Sequence, residues 1–300
     1  MRRLFIILFA ALVAGCNGTP TPAPEAATAA APPPEVDEPQ ALGPPPTVER
    51  RAYAAMVVDA RTGKMLYGEN AQSLRYPASL TKMMTLYLVF AELDAGRLTP
   101  SSPLSVSRNA ARQPPTKIGV KAGNPITVDT AVRALSVRSA NDVAVVVAEN
   151  LAGSQDAFAR RMTRQARALG MRQTTFVNAS GLPDPHQVTS ARDMVILGKA
   201  LSDRYPRWFA YFSTEEFEYN GRKWKNTNKL LGKVDGVEGI KTGYIRNSGY
   251  NLVVSVKRGG KHIIAVVIGG RSGTARNKKM EELIETYLPE ASGGGILSIF

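Results

Sequence analysis

The sequence predicts an α+β fold in which strand-like segments near both ends of the folded region flank a mostly helical middle. Apolar runs at residues 54–59 and 249–268 are typical of β-strands. Between them, apolar residues recur at helical spacing in several stretches of residues 79–201. The 300 residues, 44% of them hydrophobic and 21% charged, are enough to bury a core. We expect one α+β domain with a helical insertion.

The first part of this domain is a predicted hairpin followed by a buried helix. Residues 54–59 form a strand-like run, residues 61–64 a turn and residues 65–67 the return strand. The segment at residues 79–93 is apolar on every side of a helical wheel. A helix that is hydrophobic all round is typically buried.

Ser79 and Lys82 stand at the start of this helix, one turn apart and on the same face. Because burial disfavours a charged ammonium, Lys82 is a candidate for a lowered pKa and for taking a proton from Ser79. In the structural alternative, Ser79 caps the helix and the Lys82 side chain extends to solvent. A bare Ser-x-x-Lys spacing favours that alternative, so other motifs must decide.

Three more helices are predicted in the middle of the chain. Asp129 is expected to cap the first, which is interrupted at residues 138–141 and restarts at Asp142. Ser154 is expected to cap the second, and Ser190 to open the third with a capping box. Polar side chains at the interruption can project into a cleft.

The last part of the domain is a predicted antiparallel meander. Strand-like runs occupy residues 215–219, 237–242, 249–257 and 261–268, and residues 274–287 form a closing helix. The mixed architecture is therefore expected to end with strands packed against one more helix.

A nucleophilic serine needs a base, and histidine is a poor candidate for it. The chain has two histidines, His186 in a Pro-rich loop and His262 in a predicted strand, neither with a triad-like context. Two scattered histidines and the single Cys16 do not support a metal site either. We expect no metal and no cofactor.

Two further motifs complete a lysine-based site. Ser139 and Asn141 form a Ser-x-Asn at the helix interruption, and Lys241, Thr242 and Gly243 form a Lys-Thr-Gly on a predicted strand. Together with Ser-x-x-Lys, in this order, these motifs resemble the signature of penicillin-recognising serine enzymes. Within that group the chain resembles the low-molecular-weight penicillin-binding proteins that are D-alanyl-D-alanine carboxypeptidases.

The resemblance covers roughly residues 50–288 and includes residues 54–63, 76–84, 178–182 and 190–194. It implies a β-lactamase/transpeptidase-like fold, an antiparallel sheet flanked by helices with a helical subdomain in the middle of the chain. Ala140 and Ile245 depart from the family pattern, which usually has glycine and threonine there.

The resemblance also implies a role for each matching residue. Ser79 would be the acylated nucleophile, Lys82 its general base, and Ser139 a relay of the proton to the leaving D-alanine. The backbone N–H groups of Ser79 and Tyr244 would form the oxyanion hole. Arg276 is matched only by its place after the last strand. The substrate-binding residues would be Asn141, Lys241, Thr242, Gly243, Tyr244 and Arg276.

The expected function is a serine D,D-carboxypeptidase that trims the terminal D-alanine from peptidoglycan stem peptides and is acylated by β-lactam antibiotics. A D,D-endopeptidase of peptidoglycan crosslinks could use the same site. A β-lactamase is less well supported, because no Glu-x-x-Leu-Asn pattern supplies a deacylating base. The fourth alternative is a non-catalytic lipoprotein that binds the cell wall.

The N-terminus predicts export and a lipid anchor. Residues 1–15 have a positive start and a short apolar run, and with Cys16 they resemble a lipobox signal peptide. The alternative is an ordinary secretory signal with an incidental cysteine. By resemblance to Gram-negative lipoproteins, Asn17 favours the outer membrane over the inner one. With either signal, we expect the mature protein to work outside the cytoplasm, and as a lipoprotein it would lie at the periplasmic face of a bacterial membrane.

The remaining boundaries follow from composition. Residues 16–48 are rich in Pro and Ala and are expected to form a tether, residues 49–290 the catalytic domain and residues 291–300 a short tail. We expect no C-terminal β-sandwich or membrane helix, so the N-terminal lipid would replace them as the anchor. The net charge of +13 favours anionic surfaces, but no motif directs it to nucleic acid.

Overall fold

The computed structural model describes residues 42–293 of the chain. Its strands are β1 (Ala54–Asp59), β2 (Met65–Glu69), β3 (Pro103–Leu104), β4 (Ile126–Thr127), β5 (Glu216–Tyr219), β6 (Arg222–Lys225), β7 (Val237–Ile245), β8 (Gly249–Arg258) and β9 (Lys261–Gly270). Its α-helices are α1 (Lys82–Asp94), α2 (Arg108–Ala111), α3 (Val128–Arg133), α4 (Asn141–Ala152), α5 (Gln155–Ala168), α6 (Ala191–Arg204), α7 (Pro206–Phe209) and α8 (Gly273–Tyr287).

The main sheet has five antiparallel strands in the order β2-β1-β9-β8-β7. Helix α8 packs on one face and α6 on the other, so β8 and β9 are buried along almost their whole length. Strands covered on both faces contain continuous apolar runs, which is the pattern in the sequence. The α+β architecture with a helical middle is as predicted.

Helix α1 is buried along almost its whole length, as the apolar wheel predicted. It contacts α4, α5 and α6, and it therefore forms the centre of the helical part. At its far end the buried Glu92 forms ion pairs with Arg97 and Arg161. The other end, at Lys82, meets the sheet side of the molecule through the preceding turn, which contacts β7 and β8.

One predicted cap is wrong. The side chain of Thr127 caps α3 by accepting a hydrogen bond from Thr130 N at 3.2 Å, so the helix begins before Asp129. Asp129 lies in the first turn, where its carboxylate accepts from Arg133 Nε at 2.9 Å. The threonine has extended backbone angles and therefore the geometry of an N-cap.

The other two caps are confirmed. Ser154 accepts from Ala157 N at 3.1 Å, and Ser190 accepts from Asp193 N at 3.2 Å. The capping box at Ser190 is only half formed, because Asp193 accepts from Gln173 N and from the hydroxyl of Thr174 instead. The carboxylate thus connects α6 to the preceding loop.

The sequence prediction missed the short strand β6. It pairs with β5, and Phe217 stacks on Trp224 across this hairpin. Strand β6 has the sequence Arg-Lys-Trp-Lys, and its one apolar residue is too few for a periodic signal. The hairpin packs against the helical part near residues 134–138.

The predicted signal peptide, Cys16, most of the tether and most of the tail lie outside the described residues. Their boundaries stay predictions, as does the start of the domain at residue 49. Within residues 42–293, no helix combines the length and the apolar character needed to cross a bilayer.

Candidate active site

Ser79 lies in a tight turn that leads into α1. A 3₁₀ helix spans Ala78–Thr81, and Ala78 has a left-handed backbone with φ of 49°, which costs conformational energy outside glycine. The side-chain amide of Asn251 holds this turn by donating to the carbonyls of Tyr76 and Pro77 at 3.1 and 3.2 Å. The Ser79 side chain caps no backbone N–H at this helix start, so the capping alternative does not hold.

Lys82 is fully buried, and three oxygen atoms surround its amine. Lys82 Nζ lies 3.3 Å from Ser79 Oγ, 2.8 Å from Asn141 Oδ1 and 2.5 Å from the carbonyl oxygen of Ser180. The alternative in which Lys82 extends to solvent is therefore wrong. A neutral amine has two N–H donors and one lone pair. It can donate to Asn141 and Ser180 while the lone pair accepts the Ser79 proton.

Electrostatics favour this neutral state. Burial holds the pKa of the Lys82 amine well below its ordinary value, and the positive charge of Lys241 lowers it further. The carboxylate of Asp142 acts in the opposite direction. A neutral amine next to a serine hydroxyl can act as its general base.

The Ser-x-Asn motif forms a sharp turn between two helices. A π-helical turn at Ala134–Arg138 ends at Ser139, which has a left-handed φ of 63°, and α4 starts at Asn141 rather than at Asp142. Ser139 Oγ is buried and has no hydrogen-bond partner among residues 42–293. The hydroxyl is thus free to interact with a bound substrate.

A loop at residues 114–120 fixes this turn. Thr116 donates its hydroxyl to Ser139 O at 2.8 Å, and the Thr116 carbonyl accepts from Asn141 N at 2.6 Å. The Asn141 side-chain amide donates to the carbonyl of Pro114 at 3.1 Å. Because Asn141 Oδ1 faces Lys82, the loop also sets the position of the amine.

Asp142 anchors the same loop from inside. Its carboxylate is fully buried and accepts from the backbone N–H groups of Ile118, Gly119 and Val120 at 3.3, 2.8 and 3.2 Å. It also accepts from Val143 N at 3.0 Å. Four N–H groups compensate for the burial of the charge.

Strand β7 brings the Lys-Thr-Gly motif to the opposite side of the pocket. Lys241 is buried, and its amine donates to the carbonyl of Thr242 at 3.1 Å. Burial lowers the pKa of Lys241 to about 7, with the positive charge of Arg276 adding to the effect. Thr242 Oγ1 donates to Thr227 Oγ1 at 2.8 Å.

Two glycines permit close packing around Ser79. A Cβ at Gly243 would lie 3.2 Å from Ser79 N, so β7 passes directly beside the nucleophile. A Cβ at Gly181, which has a φ of 84°, would lie 1.9 Å from Ala78 O. Tyr244 follows Gly243 on the strand and lines the same cavity as Ser79. Its part in an oxyanion hole stays a prediction.

Arg276 lies in the first turn of α8, where it is buried beside the pocket. Its Nη1 donates to the carbonyl of Asn251 at 2.7 Å and its Nε to Asn277 Oδ1 at 2.9 Å. Burial lowers the pKa of Arg276 to about 10. The guanidinium stays charged at neutral pH and adds positive potential to the pocket.

These residues surround a cavity of about 470 Å³. The helical wall is formed by Ser79, Arg138, Ser139 and Asn141, with Lys82 buried behind them.

The sheet wall is formed by Thr242, Gly243, Tyr244 and Arg276, with Lys241 buried behind them. All nine of the site residues predicted for the folded domain thus lie at this cavity or directly behind it.

Several residues at the cavity were not predicted. Arg138, Thr227 and Tyr250 line it, and the Ser180 carbonyl contacts Lys82. Residues 178–182 carried part of the family resemblance, which is the sequence signal for Ser180, but no role was assigned to them. Within residues 42–293, no group of three or more His, Cys, Asp or Glu side chains could hold a metal ion.

The family profile described as D-alanyl-D-alanine carboxypeptidase matches residues 39–272 of the chain. The chain is 35% identical over 246 residues, 80% of its length, to the D-alanyl-D-alanine carboxypeptidase DacA of Escherichia coli (strain K12). It spans only 60% of the length of that curated relative.

Solved structures have the same fold. Penicillin binding protein 5 from Haemophilus influenzae is 31% identical with a TM-score of 0.76, covering 81% of this chain and 72% of that one. Penicillin-Binding Protein D2 from Listeria monocytogenes, in its cefotaxime-bound form, is 32% identical with a TM-score of 0.71, covering 80% and 98%. The predicted β-lactamase/transpeptidase-like architecture is confirmed.

Proposed function

The chain belongs to the D-alanyl-D-alanine carboxypeptidase family, and from that premise we propose that it is a serine D,D-carboxypeptidase. Its substrates would be peptidoglycan stem peptides ending in D-Ala-D-Ala, from which it releases the last D-alanine. The observation that carries this proposal is the buried Lys82 amine, 3.3 Å from Ser79 Oγ, in a pocket rich in cations.

Acylation begins at the helical wall. The neutral Lys82 amine takes the proton of Ser79 as Oγ forms a bond to the carbonyl carbon of the penultimate D-alanine. The negative charge on the carbonyl oxygen is stabilised by the N–H groups of Ser79 and Tyr244. The proton on Lys82 then passes through the Ser139 hydroxyl to the nitrogen of the leaving D-alanine as its C–N bond breaks, so the Lys82 amine is neutral again. An acyl-enzyme on Ser79 remains.

Deacylation uses the same groups with water as the nucleophile. Lys82 removes a proton from the water, the water oxygen bonds to the acyl carbon, and the proton returns to Ser79 Oγ as the ester bond breaks. A β-lactam would acylate Ser79 by the same first step. When the β-lactam ring opens, the leaving nitrogen stays attached to the acyl group and therefore blocks the site.

The sheet wall accounts for the preference for a substrate with a free C-terminal carboxylate. Lys241 and Arg276 supply positive potential, and the Thr242 hydroxyl can donate to a carboxylate once it leaves Thr227. Asn141 would hold the substrate's peptide group with the amide N–H that Pro114 does not engage. The free carboxylate of such a substrate is on the residue that directly follows the acyl carbon. The scheme uses neither a histidine nor a metal.

The test uses the full chain and its Ser79→Ala variant, with Ser101→Ala, an exposed serine outside the pocket, as the matched control. Each is given a pentapeptide ending in D-Ala-D-Ala, a crosslinked muropeptide and benzylpenicillin. We expect free D-alanine and a slowly hydrolysed penicilloyl adduct from the wild type and the control, and neither from Ser79→Ala.

The other outcomes identify the other functions. Cleavage of the crosslinked muropeptide in preference to the pentapeptide would assign an endopeptidase. Fast penicillin hydrolysis without D-alanine release would assign a β-lactamase, and no adduct at all would leave a wall-binding protein.

The proposal extends to location. A lipid on Cys16, after removal of residues 1–15, would hold the domain at the periplasmic face of a membrane, with residues 17–48 as the tether. Radiolabelled palmitate should label the wild type and not Cys16→Ala, and the labelled protein should fractionate with outer membranes. Export without label would assign an ordinary secretory signal.

A further inference from the structure

Arg138 lines the cavity, but the reaction proposed above gives it no task. It is the last residue of the π-helical turn and directly precedes Ser139. Its side chain is half-buried, so its position is set by the packing around it.

Backbone contacts place Arg138 next to the Thr242 side of the pocket. The carbonyl of Val137, the preceding residue, accepts from Thr227 N at 3.4 Å. Thr227 Oγ1 in turn accepts from the Thr242 hydroxyl at 2.8 Å. A single residue, Thr227, therefore links the peptide before Arg138 to the threonine expected to meet the terminal carboxylate.

The guanidinium of Arg138 is held in place without its hydrogen-bonding capacity being used. Its central carbon lies over the Trp224 ring, 5.9 Å from the ring centre, which is within the range of a cation–π contact. Its Nε is buried without a hydrogen-bond partner in the described part of the chain. Its charge has no ion-pair partner among those residues.

The other guanidinium at the pocket, that of Arg276, already forms hydrogen bonds within the protein. Arg276 already donates to Asn251 and Asn277 with two of its three nitrogens. Two of the five N–H donors of this guanidinium are therefore already used by the protein. Arg138 retains the planar pair of terminal donors that matches a carboxylate.

We propose that Arg138 is a second carboxylate-binding residue, which donates from the helical wall to the terminal carboxylate of the substrate. The inference rests on the proposed function, because it assumes that a peptide with a free C-terminus occupies this cavity. The terminal carboxylate would lie between Arg138, Thr242 and Arg276. Selectivity for a free carboxylate over a blocked C-terminus would then depend on both walls.

The experiment compares two peptides that differ only at the C-terminus, one ending in D-alanine and the other in D-alaninamide. The wild type, Arg138→Gln and Arg138→Lys are measured on both. Arg207→Gln is the matched control, since Arg207 also lies over a tryptophan, 4.6 Å from the Trp208 ring, but does not line the cavity.

We expect Arg138→Gln to lower kcat/KM roughly 10- to 100-fold for the free acid, the range of a charge-assisted hydrogen bond, and less than about 3-fold for the amide. The ratio of the two values should fall. Arg138→Lys should restore part of the ratio, since it returns the charge without the planar donor pair. Arg207→Gln should leave the ratio unchanged.

Two results would overturn the inference. An equal loss on both peptides would make Arg138 a structural residue that positions Ser139 through Trp224. The second result uses a peptide in which the acidic side chain of the stem is converted to an amide. If the loss of kcat/KM in Arg138→Gln depended on that side-chain carboxylate, Arg138 would bind it and not the terminal carboxylate.

A wild type that releases no D-alanine from either peptide would contradict the proposed function instead. In that case, the acylation rates of the wild type and Arg138→Gln are compared for benzylpenicillin and for its methyl ester, which lacks the free carboxylate. The inference stands only if Arg138→Gln slows the free acid selectively.

Discussion

The buried lysines of the two pocket walls differ in the number of hydrogen-bond acceptors around their amines. On the helical wall, Lys82 has three oxygen atoms within hydrogen-bond distance, all supplied by the protein. On the sheet wall, Lys241 has one such oxygen within residues 42–293, the carbonyl of the next residue, at 3.1 Å. Both side chains are fully buried. Burial alone therefore does not determine what a lysine does in this cavity.

The difference fits the separate tasks that the proposed function gives to the two lysines. On the helical wall, the contacts of the Lys82 amine are complete without a ligand, and they fit an uncharged amine that can act as a base. The sheet wall concentrates positive charge and leaves it with few acceptors, so an incoming carboxylate improves its hydrogen bonding. Under the proposed function, the base lies on the helical wall, and the terminal carboxylate is bound by the sheet wall together with Arg138.

The largest effect is expected from removing the Lys82 amine on the helical wall. Lys82→Met keeps the volume of the side chain and removes the base, so acylation by benzylpenicillin should slow by roughly 10²- to 10⁴-fold, the usual contribution of a general base. Stopped-flow or gel-based detection of the adduct measures this rate.

Lys199→Met is the matched control, since the half-buried Lys199 on α6 pairs with Asp203 and does not line the cavity, and it should acylate like the wild type. If Lys82→Met formed the adduct at the wild-type rate, Lys82 would not be the base.

A smaller effect is expected from the sheet wall. Lys241→Met should raise KM for the free-acid peptide and lower kcat/KM by roughly 10- to 100-fold, while a D-alaninamide peptide should lose much less. Lys257→Met, which removes an exposed lysine on β8, serves as the control.

The pH dependence separates the two lysines. Lys82 acts while neutral, so kcat/KM should fall as the pH drops below its lowered pKa. Lys241 acts while charged, and its pKa in the free enzyme is about 7, so kcat/KM should also fall as the pH rises through that value. In Lys241→Met the alkaline decrease should disappear and the acid decrease should remain. An unchanged alkaline limb would assign it to another group.

The sequence predicted the chemistry of both walls better than their connections. Ser79, Lys82 and Lys241 were identified because Ser-x-x-Lys, Ser-x-Asn and Lys-Thr-Gly, in this order, resemble a family signature. The first and last of these motifs also lie at a predicted buried helix and on a predicted strand. Arg138 was not found, because its partner Trp224 lies on a hairpin strand of four residues with no usable periodicity. The Ser180 contact was not predictable either, since it is made by a backbone carbonyl.

Loop contacts show the same limit. The role of Asp142 depends on three backbone N–H groups more than twenty residues earlier in the chain. The predicted helix start at Asp142 described only its local environment. Tertiary contacts of this kind have no periodicity or composition that a single sequence reveals.

The smallest effect is expected from Asp142→Asn, which acts on the helical wall indirectly. The side-chain amide cannot accept from all four N–H groups, and each unpaired buried donor costs about 1–3 kcal/mol. The loop at residues 114–120 should loosen, and acylation should slow by roughly 10-fold because Asn141 is no longer held as firmly. The loss of the negative charge should lower the pKa of Lys82 further, since Asp142 is the group that raises it.

The direction of the pH shift distinguishes this account from simple destabilisation. In Asp142→Asn the acid limb of penicillin acylation should move to lower pH, because Lys82 becomes neutral at a lower pH than in the wild type. Asp193→Asn is the matched control, since Asp193 is equally buried and accepts from backbone and hydroxyl donors but lies away from the cavity. It should lower the melting temperature similarly without moving the acid limb. If both variants left the limb in place, Asp142 would act on the helical wall only by holding the loop, and its charge would not tune the base.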